Sequence, residues 1–257
     1  MVIGQLCNFV VGSAGYSATS SMATTGGLSQ TNWPSSAISP EVVSGSFNDR
    51  RWTARSLVVG TTSTGTPGDP IYHASMPQHS GVASLIINTP TGSFICSASL
   101  LPDRRSLLTA AHCITDTSGN LDANSATAYF YDGSPGSYNP NTYVPFNSSA
   151  VARNVSDFFP APNYSGGVIE DDDLAVVRLD SEAPAFATSY QLSTATSLAS
   201  QQFTVAGYGQ RSSAGGSVGR NLGVGILRQG NNRYDYAWGD PNFGNFFGIR
   251  IPGFKML

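Results

Sequence analysis

"SLLTAAHCITD", residues 106–116, sets one of only three histidines, His112, directly before one of only three cysteines, Cys113, at the end of an apolar run. A histidine that works as a general base needs a carboxylate to orient its ring and a hydroxyl or thiol whose proton it can take. The carboxylate candidate stands in "GVIEDDDLAVVRLD", where Asp173 immediately precedes the apolar run 174–179. A residue at a strand end is held rigidly. Glu170, Asp171 and Asp172 read as a solvated acidic loop, and no cation-loop spacing is recognisable around them.

Outward from this stretch, the texture is that of short strands. "GVASLIIN", "SFICSASLL", "ATAYFYD", "LAVVRL", "FTVAGYG" and "LGVGILRQG" are rich in apolar and β-branched residues, and turn-forming Gly, Pro, Asn, Asp and Ser separate them. No helical period persists, so the chain reads as all-β, a barrel or sandwich. Residues 1–79 are rich in Ser, Thr, Gly and Pro and read as a leader or pro-like segment, largely irregular. The organised domain is expected over 80–257.

With 40% apolar residues, the 257-residue chain has enough apolar content to bury a core. The net charge is -3 without a cluster of Lys or Arg, which excludes the basic footprint of a nucleic-acid partner. No apolar stretch approaches the roughly 20 residues of a membrane-spanning helix, and no membrane partner is expected. Met1–Ala18 ends in small residues like a cleavage site but lacks a positive n-region. Of the three cysteines one is odd; Cys7 lies far from Cys96 and Cys113, so a pair, if one forms, is the latter two.

"GSFICSASLLPDRRSLLTAAHC" (92–113) resembles the trypsin/chymotrypsin-like serine protease pattern, in which a Cys-bearing strand leads through a hairpin to Thr-Ala-Ala-His-Cys. Asp173-Leu-Ala-Val-Val-Arg-Leu resembles the family's Asp-Ile-Ala-Leu-x-x-Leu, and "FTVAGYGQ" (203–210) resembles its Val-x-Gly-Trp-Gly strand. The three occur in the family's order, over 80 to about 230. The resemblance implies a double antiparallel β-barrel, with the first barrel at about 80–182 and part of a second at about 183–257. It implies a serine endopeptidase acting on a peptide or protein substrate, with His112 as general base, Asp173 orienting it, and no metal or organic cofactor. Cys96 and Cys113 match the family's disulfide bracing the His loop. Their 17-residue separation closes a loop worth about 3 kcal/mol in chain entropy, and such a bond implies a secreted or periplasmic location.

The pattern breaks at the nucleophile. Gly-Asp-Ser-Gly-Gly occurs nowhere in the 257 residues; in the family's order the Ser follows the Asp by about ninety residues, which from Asp173 falls past Leu257. The second barrel is therefore expected to be truncated and this chain alone inactive. "GGSVG" (215–219) fits the G-x-S-x-G expression at Ser217, but that motif needs its His after the Ser, and all three histidines precede it. No Ile-Val-Gly-Gly equivalent precedes "SGVASLIIN". His73 and His79 lie in "PIYHASMPQHSG", expected to be loop surface. The competing reading is a protease-shaped binding module that lacks its nucleophile.

Overall fold

The computed structural model describes residues 42–47, 50–55, 73–133, 150–166, 172–194, 201–209, 225 and 227–233, with backbone alone at 42–47, 50–55, 232 and 233. Cys7, Glu170, Asp171 and Ser217 lie outside the described residues.

Strands β1 (Val42–Phe47) and β2 (Arg50–Arg55) pair antiparallel, inside the segment expected to be largely irregular. The sequence signal was small: two residues, Asn48 and Asp49, of the kind that two-residue hairpin connections favour. Six further strands form the main body: β3 (Val82–Thr89), β4 (Gly92–Leu100), β5 (Ser106–Thr109), β6 (Ser125–Phe130), β7 (Val151–Pro160) and β8 (Ala175–Leu179). They close into an antiparallel barrel in the order β3-β4-β5-β8-β7-β6, with β6 returning to pair with β3. Closure leaves the barrel no free edge.

The period-2 geometry of a strand explains the core. Ala83, Leu85 and Ile87 of β3, Cys96, Ala98 and Leu100 of β4, and Ala126, Ala128 and Phe130 of β6 share the barrel interior. On β3, β4 and β5 the alternate face is buried as well: Val82, Ile95 and Leu108 join Tyr131, Tyr190, Ala206, Tyr208 and Leu227 in a second cluster. Strands covered on both faces lose polar alternation. This is why "SFICSASLL" reads as an almost unbroken small and apolar run.

What covers the outer face is the second unit, whose described part is a two-stranded antiparallel sheet of β9 (Gln202–Gly207) and β10 (Arg228–Arg233). Tyr208 N–H donates to Ser97 Oγ at 2.8 Å, and the Tyr208 hydroxyl donates to the Val82 carbonyl at 3.2 Å. Gly207 is required by this approach, since a Cβ there would lie 2.9 Å from Ser97 Oγ. The described residues thus form an all-β fold, one closed six-stranded barrel and a second, two-stranded sheet packed on it.

Two tethers bind the units' connecting segment to the barrel. Arg104, at a φ of 58° in the β4–β5 turn, donates to the carbonyls of Ala187, Ala183 and Pro184 at 2.9, 3.2 and 2.6 Å. The Tyr190 hydroxyl donates to the Gln78 carbonyl at 2.9 Å. The second tether also corrects an expectation: residues 73–79 belong to the folded body. Ala74 N–H donates to the Leu227 carbonyl, His73 bridges to Arg228, and His79 is buried with Nδ1 2.9 Å from the Ser75 carbonyl. The segment lacks strand periodicity because it is a turn filled in against the second unit's strands, so neither apolar pattern nor period marks it.

Candidate active site

Register brings the two candidate residues together. β5 and β8 run antiparallel as neighbours, with Thr109 opposite Ala175. The end of β5 and the start of β8 therefore lie at the same rim of the barrel. Beyond Thr109, the chain turns through a single 3-10 turn, Ala111–Cys113, all of it buried; two residues before Ala175 stands Asp173. His112 and Asp173, 61 positions apart in sequence, meet there.

The contact has two points. Asp173 Oδ1 accepts the backbone N–H of His112 at 2.9 Å, and Oδ2 lies 2.7 Å from His112 Nδ1. His112 is 6% exposed and Asp173 2%. A carboxylate that grips both the backbone and the ring fixes χ1 and χ2 of the histidine together. With Oδ2 as a pure acceptor, the proton of a neutral imidazole sits on Nδ1 and the lone pair on Nε2. What this arrangement can do chemically is accept a proton at Nε2 and spread the resulting charge onto a buried carboxylate.

Asp172, the neighbour that is described, is half-buried and offers its carbonyl to Leu174 N–H at 2.7 Å; its carboxylate is not in the contact. His79 stands apart from the site. Burial pushes its imidazole below the ordinary value, against the opposing pull of the Ser75 carbonyl.

Cys96 and Cys113 are joined by a disulfide with their Cα atoms 6.3 Å apart, which ties the His112 turn to β4. While that bond is intact neither sulfur is a thiolate, so the sulfurs beside His112 offer nothing to a metal ion. A further residue that sequence reasoning passed over is Ser97. Its carbonyl accepts the Thr109 hydroxyl at 3.0 Å, at the end of β5, while its own hydroxyl receives Tyr208 N–H from the second unit. The available signal was its polar side chain in a run otherwise buried on both faces, where a hydroxyl needs a partner.

Residues 70–239 match the family described as Trypsin, more than half of the chain. Among solved structures, HL collagenase gives a TM-score of 0.45 at 19% identity, over 64% of this chain and 62% of its own. A Glu endopeptidase solved in complex with MPD gives 0.43 at 17% identity, over 70% of this chain and 71% of its own. This chain spans less than two thirds of the HL collagenase chain. Comparison with curated proteins finds no match. The Trypsin match takes in the whole six-stranded barrel, both partners of the His112–Asp173 contact and the β9–β10 sheet: the chain belongs to the trypsin family.

Proposed function

We propose that these residues are the base-bearing part of a serine endopeptidase that cleaves peptide bonds by acyl transfer. The observation that carries the reading is the two-point grip of buried Asp173 on His112. A merely structural histidine needs one partner; this one has its ring and backbone held by the same carboxylate, leaving Nε2 as the proton acceptor. In the proposed mechanism Nε2 takes the proton of a serine hydroxyl as it attacks the scissile carbonyl, then delivers it to the leaving amine. Asp173 keeps the tautomer and stabilises the imidazolium. The Cys96–Cys113 disulfide supports a secreted or periplasmic setting.

A second reading is a protease-shaped binding module that lacks its nucleophile. One experiment separates the two. The chain alone, and the chain joined to a segment carrying Gly-Asp-Ser-Gly-Gly, are exposed to a serine-directed fluorophosphonate. The endopeptidase reading expects labelling of the joined form only, reduced about 10⁴-fold by Asp173→Asn and lost with His112→Ala. A joined, folded form that never labels supports the binding module. Labelling of the chain alone that is lost with both His112→Ala and Ser217→Ala would overturn the assignment of the nucleophile to a Gly-Asp-Ser-Gly-Gly segment.

A further inference from the structure

His112 Nε2 has close neighbours of a second kind. It lies 3.7 Å from Cys113 Sγ, and a ring nitrogen of His112 together with the sulfurs of Cys96 and Cys113 all fall within 4.8 Å of one another, on three buried residues. We propose that reduction of the Cys96–Cys113 disulfide turns this cluster into a binding site for a borderline-soft divalent cation, with zinc as the type. No such site exists in the oxidised chain, where the sulfurs are consumed by their own bond.

Distances support it. Zinc takes thiolate sulfur at about 2.3 Å and imidazole nitrogen at about 2.0–2.1 Å, and around a tetrahedral centre those bonds set S and N about 3.6 Å apart. The observed 3.7 Å between Nε2 and Cys113 Sγ already has that spacing. The remaining requirement is that the two sulfurs, once freed, part to roughly 3.8 Å, the corresponding S–S spacing. Their Cα atoms, 6.3 Å apart on β4 and the 3-10 turn, are close enough for two Cys side chains to span that spacing.

The support around the cluster also suits a metal. A ligating histidine normally gives its other ring N–H to a carboxylate, which fixes the ring and raises its basicity. Asp173 Oδ2, 2.7 Å from Nδ1, does so for His112 and leaves the Nε2 lone pair for the metal. The fourth position would be taken by water. In the reduction, a phosphine gives two electrons, the S–S bond breaks, two protons are taken up, and the phosphine leaves as its oxide with an oxygen from water. The cation then releases both thiol protons to solvent as two S–metal bonds and one N–metal bond form. The site stands on its ligand atoms alone; that it would silence the general base, by occupying Nε2, rests on the function proposed above.

The test uses the whole chain with Cys7→Ser, so that Cys96 and Cys113 are the only thiols. It is reduced by phosphine without oxygen and titrated with Co²⁺ as a spectroscopic stand-in for zinc, with circular dichroism recorded throughout. Expected are one equivalent bound, sulfur-to-cobalt charge transfer in the near ultraviolet, and intense visible bands of tetrahedral cobalt. Cys96→Ser or Cys113→Ser should each weaken the charge transfer, His112→Ala should remove the nitrogen ligand and lower affinity, and Asp173→Asn should lower affinity about 10–100-fold. The proposal is overturned by weak, six-coordinate cobalt spectra, by affinity indifferent to His112→Ala, or by a reduced chain that is unfolded with and without metal. None of these outcomes bears on fluorophosphonate labelling of the oxidised, serine-joined form, so the two proposals fail separately.

Discussion

Replacing Asp173 by Ala tests whether the rim contact holds the fold together as well as the ring. The carboxylate receives two hydrogen bonds from His112, at 2.9 and 2.7 Å, in a position 2% exposed to solvent. Hydrogen bonds to a charged group contribute about 1.5–3 kcal/mol each, so the gross loss is about 3–6 kcal/mol. Against it stands the desolvation cost of a buried carboxylate, several kcal/mol per ion, which the substitution relieves. What remains is the cost of donors orphaned in a site that water barely reaches, about 1–3 kcal/mol for a buried unsatisfied group, so the net expectation is a loss of about 2 kcal/mol. At a urea m-value of about 2 kcal/mol/M the unfolding midpoint falls by about 1 M. Asp172→Ala, beside it but outside the contact, should stay within about 0.5 kcal/mol of the parent. In a double-mutant cycle, Asp173→Ala and His112→Ala together should cost less than the sum of the two, because each alone strands the other's bonding groups. An Asp173→Ala midpoint equal to the parent's at unchanged m, or additivity in the cycle, would refute the claim that this contact is stabilising.

Three further outcomes follow from particular contacts. Unreduced peptide mapping should recover Cys96 bonded to Cys113 and not to Cys7, and replacing both by Ala should cost about 2–4 kcal/mol in chemical unfolding. Gly81→Ala should be severely destabilised, by about 3 kcal/mol or more, because the new Cβ would lie 1.7 Å from the Thr188 carbonyl oxygen, whereas Gly230→Ala, with nothing within 4 Å, should be near neutral by thermal melting. Burial holds the His79 imidazole below its ordinary value of 6.5, so the unfolded chain binds more protons there; the stability His79 contributes is complete above pH 6.5 and is lost as pH falls toward and through its lower folded value. Urea midpoints of His79→Gln should therefore depend on pH less steeply than the parent's between about pH 7 and 5.

The parts of the fold legible in the sequence are those in which one short stretch carries its own constraint. Thr-Ala-Ala-His-Cys is such a stretch, since a strand, a turn and a cross-link follow one another within eight residues. Asp173 was legible for a related reason: the apolar run after it marks a strand start, and a strand start is a fixed address. The β1–β2 hairpin was not legible, because Ser, Thr and Gly dominate its surroundings and the two-residue connection Asn48-Asp49 is a weak signal by itself. His79 was misread as surface because it is buried within a turn, its ring nitrogen and backbone N–H both set against the Ser75 carbonyl, and a turn leaves no strand period to mark it. Ser97 was missed for a different reason. Its hydroxyl is satisfied by Tyr208, 111 residues away, and a partner at that distance is invisible to any window of sequence.

The register of β5 and β8 makes the His112–Asp173 contact a property of the barrel, whose β6 and β7 are supplied by the segment joining the two residues. A change of length confined to the connection between β6 and β7, outside the paired strands, would leave Thr109 opposite Ala175, and hence the contact, where it is. This rim of the barrel is the half of the proposed site that the described residues hold. The second unit reaches this half through the neighbouring strand: β9 ends at Gly207 against Ser97, one residue from Cys96, whose disulfide braces the His112 turn. Ser97 also receives the Thr109 hydroxyl, three residues before His112. Docking the second unit therefore buries the outer faces of β3, β4 and β5 and stiffens two of the three supports of the histidine, β4 and the end of β5, while Asp173 supplies the third. On the endopeptidase reading proposed above, the first barrel would set the geometry of the base and the second would bring a serine to it.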